Sequence, residues 1–473
     1  MMRSTTSVRR DGLRRVLAVS AACGVLLVGG TVPPAVAQEE TDTADSPFSP
    51  PALNPEFTAN SDRLAPNGAF AKQQACMSAS ESGPTIEEQP WSQRLLGFRH
   101  AHEQGLLGGG QKIAVIDTGV NPHPRLTPRL EDGGSLITGG ALNDCDGHGT
   151  IVAGIIAARQ SEQTGFVGVA PESTILSIRQ SSSVYQDRDR GTTPGTTASM
   201  AQAINSAVAQ GADVINVSQA SCQSLARASN PLDEGNQQLH NAVRNAYANE
   251  VVVVAAAGNA GGKCEKNAPD DPSTAVLPAW FDRYVLTVAA VNQHGAPSEF
   301  TVPGPWVDVA APGENLIALD PGVGGSGLVN RVVHGPDNEP QPIQGTSFAA
   351  PYVSGLAALI KQKNPQLSAE QVMRRITETA QHNGGDSDII GHGLINPMAA
   401  VNDVVPAEHG AAPPPVEPRH LQAHVFPQRD WAAIAVALGG TIGGVATVLF
   451  VAFLVNALRR MRGNTGTTPG DRP

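Results

Sequence analysis

Short apolar runs alternate with helical patterns through the middle of the chain. Runs rich in β-branched residues predict strands at 113–116, 175–178, 214–217, 251–254 and 284–291. Apolar residues at helical spacing predict helices at 148–159, 198–210, 237–249, 347–361 and 369–380. This strand–helix alternation predicts an α/β fold with a parallel sheet and helices on both faces. The near-continuous apolar strands agree with burial on both sides of the sheet.

The N-terminus has the pattern of a secretory signal peptide. Five arginines lie within residues 1–15, an apolar run covers 16–30, and Ala35-Val36-Ala37 forms a small-residue cleavage site. An uncleaved anchor helix is the alternative, but the run is short for crossing membrane hydrocarbon. We therefore expect a signal peptide over residues 1–37 and export of the chain that follows it.

A second apolar segment, 431–455, contains no charged residue. At about 1.5 Å per residue it is longer than the roughly 30 Å of membrane hydrocarbon. Three arginines follow it between positions 459 and 462, and such positive residues stay on the cytoplasmic side. The pattern predicts a transmembrane helix over 431–456, a cytoplasmic tail over 457–473 and an extracytoplasmic location for the preceding region.

Polar segments separate these two ends from the α/β region. Residues 38–90 are polar, with little periodicity, and we expect them to form an N-terminal extension wrapped on the core. Residues 403–430 are rich in proline and predict a semi-rigid linker. The α/β domain itself is expected over residues 91–402.

Composition narrows the class of function. The chain has 473 residues, of which 40% are hydrophobic, and this is enough for a large buried core. Its formal net charge is −11. Because a nucleic-acid binder needs a basic surface to neutralise phosphates, the acidic balance argues against nucleic acid as a partner. An exported, enzyme-sized domain is the expectation.

Four cysteines remain after removal of the signal peptide: Cys76, Cys145, Cys222 and Cys264. An even number in an exported domain favours disulfides, and four cysteines allow three pairings. A metal site is the competing interpretation, but no C-x-x-C spacing supports it. No Asp/Asn cluster has the spacing of a calcium loop either, so no metal is expected.

Three polar residues follow a strand or open a helix of the predicted sheet. Asp117 follows the strand 113–116, and His148 and Ser347 stand at the starts of predicted helices. Alone, the serine has an ordinary explanation as an N-cap and the histidine as a solvated turn residue. Together they supply the carboxylate, imidazole and hydroxyl of an activated serine nucleophile. Because sites form at the carboxyl edge of parallel sheets, we expect the three side chains to meet there.

The order Asp, His, Ser along the chain is the subtilisin order. The blocks 114–120, 148–150 and 345–351 resemble the three signature blocks of the subtilisin-like serine proteases, and Ala257-Gly258-Asn259 is a fourth match. The resemblance covers about residues 91–400 and implies a subtilisin-like fold. It also implies an acyl-enzyme mechanism without a cofactor, with Asp117, His148 and Ser347 as the triad and Asn259 as the oxyanion donor.

The whole architecture resembles the mycosins, membrane-anchored subtilisin-like proteases associated with type VII secretion. A signal peptide, a triad domain, a Pro-rich linker and one C-terminal apolar helix occur in that order. The resemblance implies secreted protein substrates, a type VII secretion membrane complex as partner and membrane attachment through the C-terminal helix. It further implies the disulfide pairs Cys76–Cys145 and Cys222–Cys264.

Two functions therefore remain open. The first is a serine endopeptidase that cleaves secreted proteins at the outer side of the cytoplasmic membrane and also stabilises the secretion complex. The alternative is a mainly structural, membrane-anchored component of that complex, with catalysis secondary. Separate loss of substrate cleavage and of secretion would distinguish the two.

The sequence also departs from the subtilisin pattern. Gln219 and Ala220 stand where many subtilisins carry Leu and Gly for holding the substrate backbone. Two insertions, 181–197 and 321–342, interrupt strand–helix connections and are candidates for restricting substrate entry or docking to a partner. Because residues 38–90 lack the pattern of a packed domain, we expect them to stabilise the fold and not to act as a removable inhibitor.

Overall fold

The strands fall into one large sheet and several two-stranded ones. The computed structural model describes residues 48–66, 68–80, 86–268, 271–333, 339–381, 387–409 and 431–462. The strands are β1 Phe70–Lys72, β2 Lys112–Asp117, β3 Leu130–Ser135, β4 Thr174–Arg179, β5 Tyr185–Asp187, β6 Val214–Val217, β7 Ser221–Ser224, β8 Val252–Ala256, β9 Thr274–Leu277, β10 Val285–Val291, β11 Val309–Pro312, β12 Ala318–Leu319, β13 Leu328–Val329, β14 Arg331–Val333 and β15 Pro340–Pro342.

Helices lie between several of these strands and follow the last of them. The α-helices are α1 Trp91–Leu96, α2 Arg99–Glu103, α3 His148–Ala157, α4 Thr197–Ala209, α5 Leu225–Ala228, α6 Glu234–Ala248, α7 Thr346–Lys363, α8 Ala369–Glu378, α9 Pro397–Asn402 and α10 Trp431–Arg462. Short 3₁₀ turns lie at Asp282–Tyr284 and Pro406–His409. The five predicted helices correspond to α3, α4, α6, α7 and α8.

The central sheet has the strand order β11-β10-β8-β6-β2-β4-β3, and every neighbouring pair is parallel. After β2 the chain first adds β3 and β4 on one side and then β6, β8, β10 and β11 on the other. Strand β2 therefore lies where the direction of winding reverses. In open α/β sheets, the crevice at such a reversal, beyond the carboxyl ends of the strands, is where sites form.

Helices cover both faces of this sheet. Helices α3 and α7 pack on each other and on the sheet, and α4 and α6 form a second packed pair. Strands β6, β8 and β10 are buried along their whole length, because apolar side chains point to a helical layer on either side. The α/β fold with a parallel sheet between helical layers is thus confirmed.

The N-terminal segment crosses the surface of the α/β domain. The backbone carbonyl of Phe48 accepts from Trp280 Nε1 at 2.6 Å, and Asn241 Nδ2 donates to the carbonyl of Asn54 at 2.8 Å. Strand β1 then pairs antiparallel with β5. Farther on, the backbone N–H of Ser80 donates to Asp320 Oδ2 at 2.7 Å. The backbone N–H of Val323 donates to the carbonyl of Met77 at 3.3 Å. Residues 48–66 and 68–80 therefore contact helices and both predicted insertions.

The C-terminal unit, described by itself, contains the long apolar helix α10. Its segment Ala435–Met461 is long and apolar enough to cross a membrane. The helix continues to Arg462, so the three arginines lie at its C-terminal end. The predicted signal peptide 1–37, most of the linker (410–430) and the end of the tail (463–473) lie outside the described residues.

Candidate active site

Asp117 is the last residue of β2 and is fully buried. Its Oδ1 accepts a hydrogen bond from the backbone N–H of Thr118 at 2.7 Å and another from His148 Nδ1 at 2.7 Å. A buried carboxylate without such donors would be costly. Strand β2 thus places the Asp117 carboxylate at the carboxyl ends of the parallel strands, and the turn that follows orients this carboxylate towards the imidazole.

His148 is the first residue of α3, and it bonds both other members of the predicted triad. Its Nε2 lies 2.9 Å from Ser347 Oγ, while its Nδ1 bonds Asp117. The preceding Gly147 has φ 80°, a conformation that favours glycine. A side chain there would also collide with Met77 and Pro321, which pack against this turn. The side chain of His148 remains 18% exposed, so it faces the solvent side of the site.

Ser347 is the second residue of α7 and is 7% exposed. Its backbone carbonyl accepts from Ser218 Oγ at 2.7 Å, which connects the start of α7 to the end of β6. Gly345, with φ 147°, precedes the helix. A Cβ at this position would lie 3.1 Å from Ser347 Oγ and 3.2 Å from Asn259 Nδ2. The glycine therefore keeps open the space between these two polar groups.

Asn259 follows β8 and faces the same open space. Its Oδ1 accepts from the backbone N–H of Thr346 at 2.9 Å and from Thr346 Oγ1 at 3.0 Å. These two donors fix which end of the amide is oxygen and leave Nδ2 on the side of Gly345. Among the described residues, no acceptor pairs with this Nδ2. A donor without a partner beside a serine hydroxyl is placed to bind a negatively charged oxygen.

A second buried carboxylate, Asp144, joins the Asp117 turn to the start of α3. Its Oδ1 accepts from Thr118 Oγ1 and from the backbone N–H of Gly147, both at 2.8 Å. Its Oδ2 accepts from the backbone N–H of Thr150 at 2.9 Å and from Thr150 Oγ1 at 2.7 Å. No sequence prediction covers Asp144. The signal that could have identified it is a carboxylate four residues before a histidine that opens a helix.

The charges around His148 determine its proton affinity. Burial alone lowers the pKa of His148, but the charge and hydrogen bond of Asp117, with the charges of Asp144 and Asp146, raise it above its ordinary value. Burial also raises the pKa of Asp144 to about 6, although hydrogen bonds from Thr150 and Thr118 favour its charged form. The imidazole is thus poised to hold a proton taken from Ser347.

The cysteines form two disulfides, Cys76–Cys145 and Cys222–Cys264. These are the pairs that the mycosin resemblance implies. The first links the N-terminal segment to the turn before His148, where the backbone N–H of Met77 also donates to the carbonyl of Cys145 at 2.9 Å. Within the described part of the chain, no group of three His, Cys, Asp or Glu side chains is arranged to hold a metal ion.

The two insertions lie next to the site. A cavity of about 980 Å³ is lined by Asp146 of the His148 turn, by Met77 of the N-terminal segment, and by Ser183, Pro321 and Val332 of the two insertions. Neither Ser347 nor Asn259 lines this cavity. It therefore adjoins the triad on the His148 side.

One of the two departures from the subtilisin pattern, Gln219, also contacts the site. Gln219 Nε2 lies 3.4 Å from Asp117 Oδ1. Beyond Ala220, residues 221–224 form β7 and pair antiparallel with β9. From the sequence, Gln219 was noted only as a departure at the position that holds the substrate backbone in many subtilisins. Its contact with Asp117 was not predicted.

This geometry and a match to the Subtilase family over residues 108–393 define a subtilisin-like serine protease, and the chain belongs to that family. Mycosin-1 of Mycobacterium tuberculosis (strain ATCC 25618 / H37Rv) is 40% identical over 394 residues, which cover 78% of this chain and 84% of that protein. Within the subtilases, the chain is a mycosin.

Solved structures agree with this assignment. The structure of the serine protease MycP1, an essential component of the type VII (ESX-1) secretion system, superposes with a TM-score of 0.68 at 38% identity and covers 75% of this chain and 99% of that one. A chain of the intact ESX-5 inner membrane complex gives a TM-score of 0.69 at 36% identity and covers 87% of this chain and 100% of that one. The subtilisin-like fold is thus confirmed, and a homologue is part of an inner membrane complex.

Proposed function

We propose that this chain is a membrane-anchored serine endopeptidase that cleaves secreted proteins at the outer side of the cytoplasmic membrane. The observation that carries the proposal is the position of His148 between the two other polar groups. Its nitrogens lie 2.7 Å from Asp117 Oδ1 and 2.9 Å from Ser347 Oγ. Both distances are within hydrogen-bond reach, as a general base and its nucleophile require.

The proposed reaction follows from these contacts. Ser347 Oγ attacks the scissile carbonyl carbon while His148 Nε2 takes the hydroxyl proton, and Asp117 stabilises the imidazolium that forms. Asn259 Nδ2 and the positive N-terminus of α7 stabilise the oxyanion. When the C–N bond breaks, His148 returns the proton to the leaving amine and an acyl-enzyme remains. A water molecule then attacks the acyl carbon while His148 takes its proton; the bond from this carbon to Ser347 Oγ breaks, and His148 returns the proton to Oγ.

The location and the partner of this activity rest on helix α10 and on the relatives. Helix α10 is long and apolar enough to cross a membrane and ends in three arginines, which supports a single span with a cytoplasmic C-terminus. A homologous chain belongs to the ESX-5 inner membrane complex. We infer that this chain likewise acts within a type VII secretion membrane complex and stabilises it.

The N-terminal extension, 38–90, is proposed to remain attached and to stabilise the protease domain over 91–402. Its described part is joined by the disulfide Cys76–Cys145 and by hydrogen bonds such as that of Asn54 with Asn241. A disulfide of this kind typically contributes about 2–4 kcal/mol. A mature protein that begins near Trp91 would contradict this part of the proposal.

The test is the substitution Ser347→Ala in the full chain. In cells with the wild-type chain, cleavage creates a defined set of new N-termini on secreted proteins. In cells with this variant, mass spectrometry should no longer detect them. On a peptide that covers such a cleavage site, kcat should fall by about a millionfold, because the nucleophile is absent.

A matched control separates catalysis from folding. Ser206 is a buried serine on α4 and bonds Gln210, away from the triad. Ser206→Ala should keep all cleavage products. Cleavage that persists unchanged in Ser347→Ala would overturn the enzymatic proposal.

The second candidate function is a structural role with catalysis secondary, and it is favoured by the homologue within the ESX-5 inner membrane complex. If Ser347→Ala abolishes cleavage but secretion continues, while removal of residues 431–462 stops secretion, the structural role is the dominant one. If both changes stop secretion equally, catalysis is required.

A further inference from the structure

The end of strand β6 contacts the two outer members of the proposed triad with successive residues. Ser218 Oγ donates to the backbone carbonyl of Ser347 at 2.7 Å. The next side chain, Gln219, extends its amide to Asp117 Oδ1 at 3.4 Å. Strand β6 is the sheet neighbour of β2, with Val217 opposite Ile116, so residue 219 lies just beyond the point where Asp117 ends its strand.

The hydrogen bonds of Asp117 are distributed unevenly over its two oxygens. Thr118 N, His148 Nδ1 and Gln219 Nε2 all point at Oδ1. Oδ2 is buried, and no donor in the described part of the chain reaches it. A carboxylate with all its donors on one oxygen has a defined rotation, because turning it would break every one of these bonds.

We propose that Gln219 is a positioning residue whose side-chain amide holds Asp117 Oδ1 towards His148 from the β6 side. This inference rests on the proposed protease function. The amide acts through Asp117 and not on the substrate. The N–H group of the amide also places a partial positive charge against the Asp117 carboxylate. It therefore weakens the negative field of this carboxylate at His148.

The charged groups that face His148 are the carboxylates of Asp117, Asp144 and Asp146. A change at residue 219 therefore reaches His148 chiefly through Asp117, which it contacts. Replacing the amide with a carboxylate adds a fourth negative charge beside this group. The imidazolium becomes more stable, and a higher pH is needed to obtain the neutral base.

The experiment uses the full chain and a fluorophosphonate probe, which reacts with activated serines without a peptide sequence requirement. Ser347 Oγ forms a bond to phosphorus, fluoride leaves, and His148 takes the hydroxyl proton. The second-order labelling rate is measured from pH 5 to 9 for the wild type, Gln219→Met and Gln219→Glu. Gln219→Met preserves the length of the side chain and removes the donor.

We expect Gln219→Met to label about 3- to 10-fold more slowly at the plateau with an unchanged Tm, since one hydrogen bond to the acid is lost. Gln219→Glu should move the acid limb of the profile to higher pH. The matched control is Gln223→Glu, the same charge change on β7, where Gln223 bonds Asn236 and touches no triad residue. It should leave the limb in place.

The outcomes separate this inference from the function on which it rests. If the probe labels the wild type no more than it labels Ser347→Ala, the protease proposal itself is contradicted. If the wild type is labelled but the pH profiles of the labelling rate coincide for all variants, only the role of Gln219 is overturned. Equal shifts for Gln219→Glu and Gln223→Glu would also overturn it, because they indicate a long-range field and not a contact. A change confined to probe affinity would assign Gln219 to substrate binding instead.

Discussion

The two halves of the site are held in different ways. In the acid half (Asp117, His148 and Asp144), the polar atoms are hydrogen-bonded in the resting protein, with the buried Asp117 Oδ2 as the exception. Asp144 alone accepts from Thr118, from Gly147 and twice from Thr150. In the nucleophile half (Ser347, Asn259 and Gly345), Asn259 Nδ2 has no acceptor among the described residues, and Gly345 leaves the adjacent space open.

This difference indicates a division of work. Hydrogen bonds that are complete in the resting protein fix geometry, whereas donors that stay unpaired are available for charge that appears only during reaction. The acid half should therefore respond to substitution in its stability and its pH dependence. The nucleophile half should respond mainly in kcat.

The largest effect that tests this comparison is expected for Asn259→Ala. Loss of an oxyanion donor typically lowers kcat by about 10²–10³. KM should change little, because the donor acts on charge that develops after binding. The measurement is steady-state kinetics on the peptide identified with Ser347→Ala.

A second variant at this position isolates the donor. Asn259→Asp keeps an oxygen to accept from Thr346 N, so the start of α7 should remain as stable as in the wild type. It replaces the amide donor with a second oxygen, and kcat should fall at least as far as in Asn259→Ala. Nearly normal kcat in Asn259→Asp would show that Asn259 only supports Thr346.

The four principal side chains of the two halves could be predicted from the sequence, whereas two residues that contact Asp117 and its turn could not. Ser347, His148, Asp117 and Asn259 lie in short local motifs in a recognisable order, and the buried strands are apolar runs. Asp144 has only its position four residues before His148 as a signal, and Gln219 stands out only as a departure from the subtilisin pattern. Their contacts could not be predicted, because the partners are brought together only by folding. Gln219, for example, is separated from Asp117 by 102 positions.

The same reason explains the two strands of the central sheet that were not predicted. Strand β3 is an edge strand with the sequence Leu-Glu-Asp-Gly-Gly-Ser, and its first half is partly or fully exposed. Strand β11, at the other edge, is only Val-Ala-Ala-Pro. Neither contains the apolar β-branched run that marks the inner strands, so their pairing is visible only in the folded sheet.

An intermediate effect is expected for Asp144→Asn. In an asparagine, an NH₂ group would replace one oxygen of Asp144 and could not accept the hydrogen bonds that this oxygen accepts. Each donor left unpaired costs about 1–3 kcal/mol. Tm should fall by several degrees, and the labelling rate by roughly tenfold as the Asp117 turn separates from α3. The control Asp146→Asn removes a nearby carboxylate that instead bonds Ser182 and Ser183, and it should keep the labelling rate within about twofold.

The pH dependence of stability adds a signed test to Asp144→Asn. Because the folded-state pKa of Asp144 is raised from 3.8 to about 6, ionisation costs stability as pH rises through this interval, by about 3 kcal/mol in total. The variant should lack this decline in thermal melts between pH 4 and 6. An identical slope in both proteins would contradict the assignment of a buried charge to Asp144.

The smallest effect concerns the acid limb of the labelling profile. Only neutral His148 accepts the Ser347 proton, so the rate should rise with pH through a midpoint above the ordinary imidazole value of 6.5, since the pKa of His148 is raised. Asp146 supplies one of the charges that raise the pKa of His148, and Asp146→Asn should lower the midpoint by roughly a few tenths of a pH unit.

The raised pKa also means that protonated His148 stabilises the fold below pH 6.5, a contribution that is lost as pH rises through the midpoint. A wild-type midpoint below 6.5 would show that burial outweighs the three carboxylates, and the acid half would then not be electrostatically organised as its hydrogen bonds indicate.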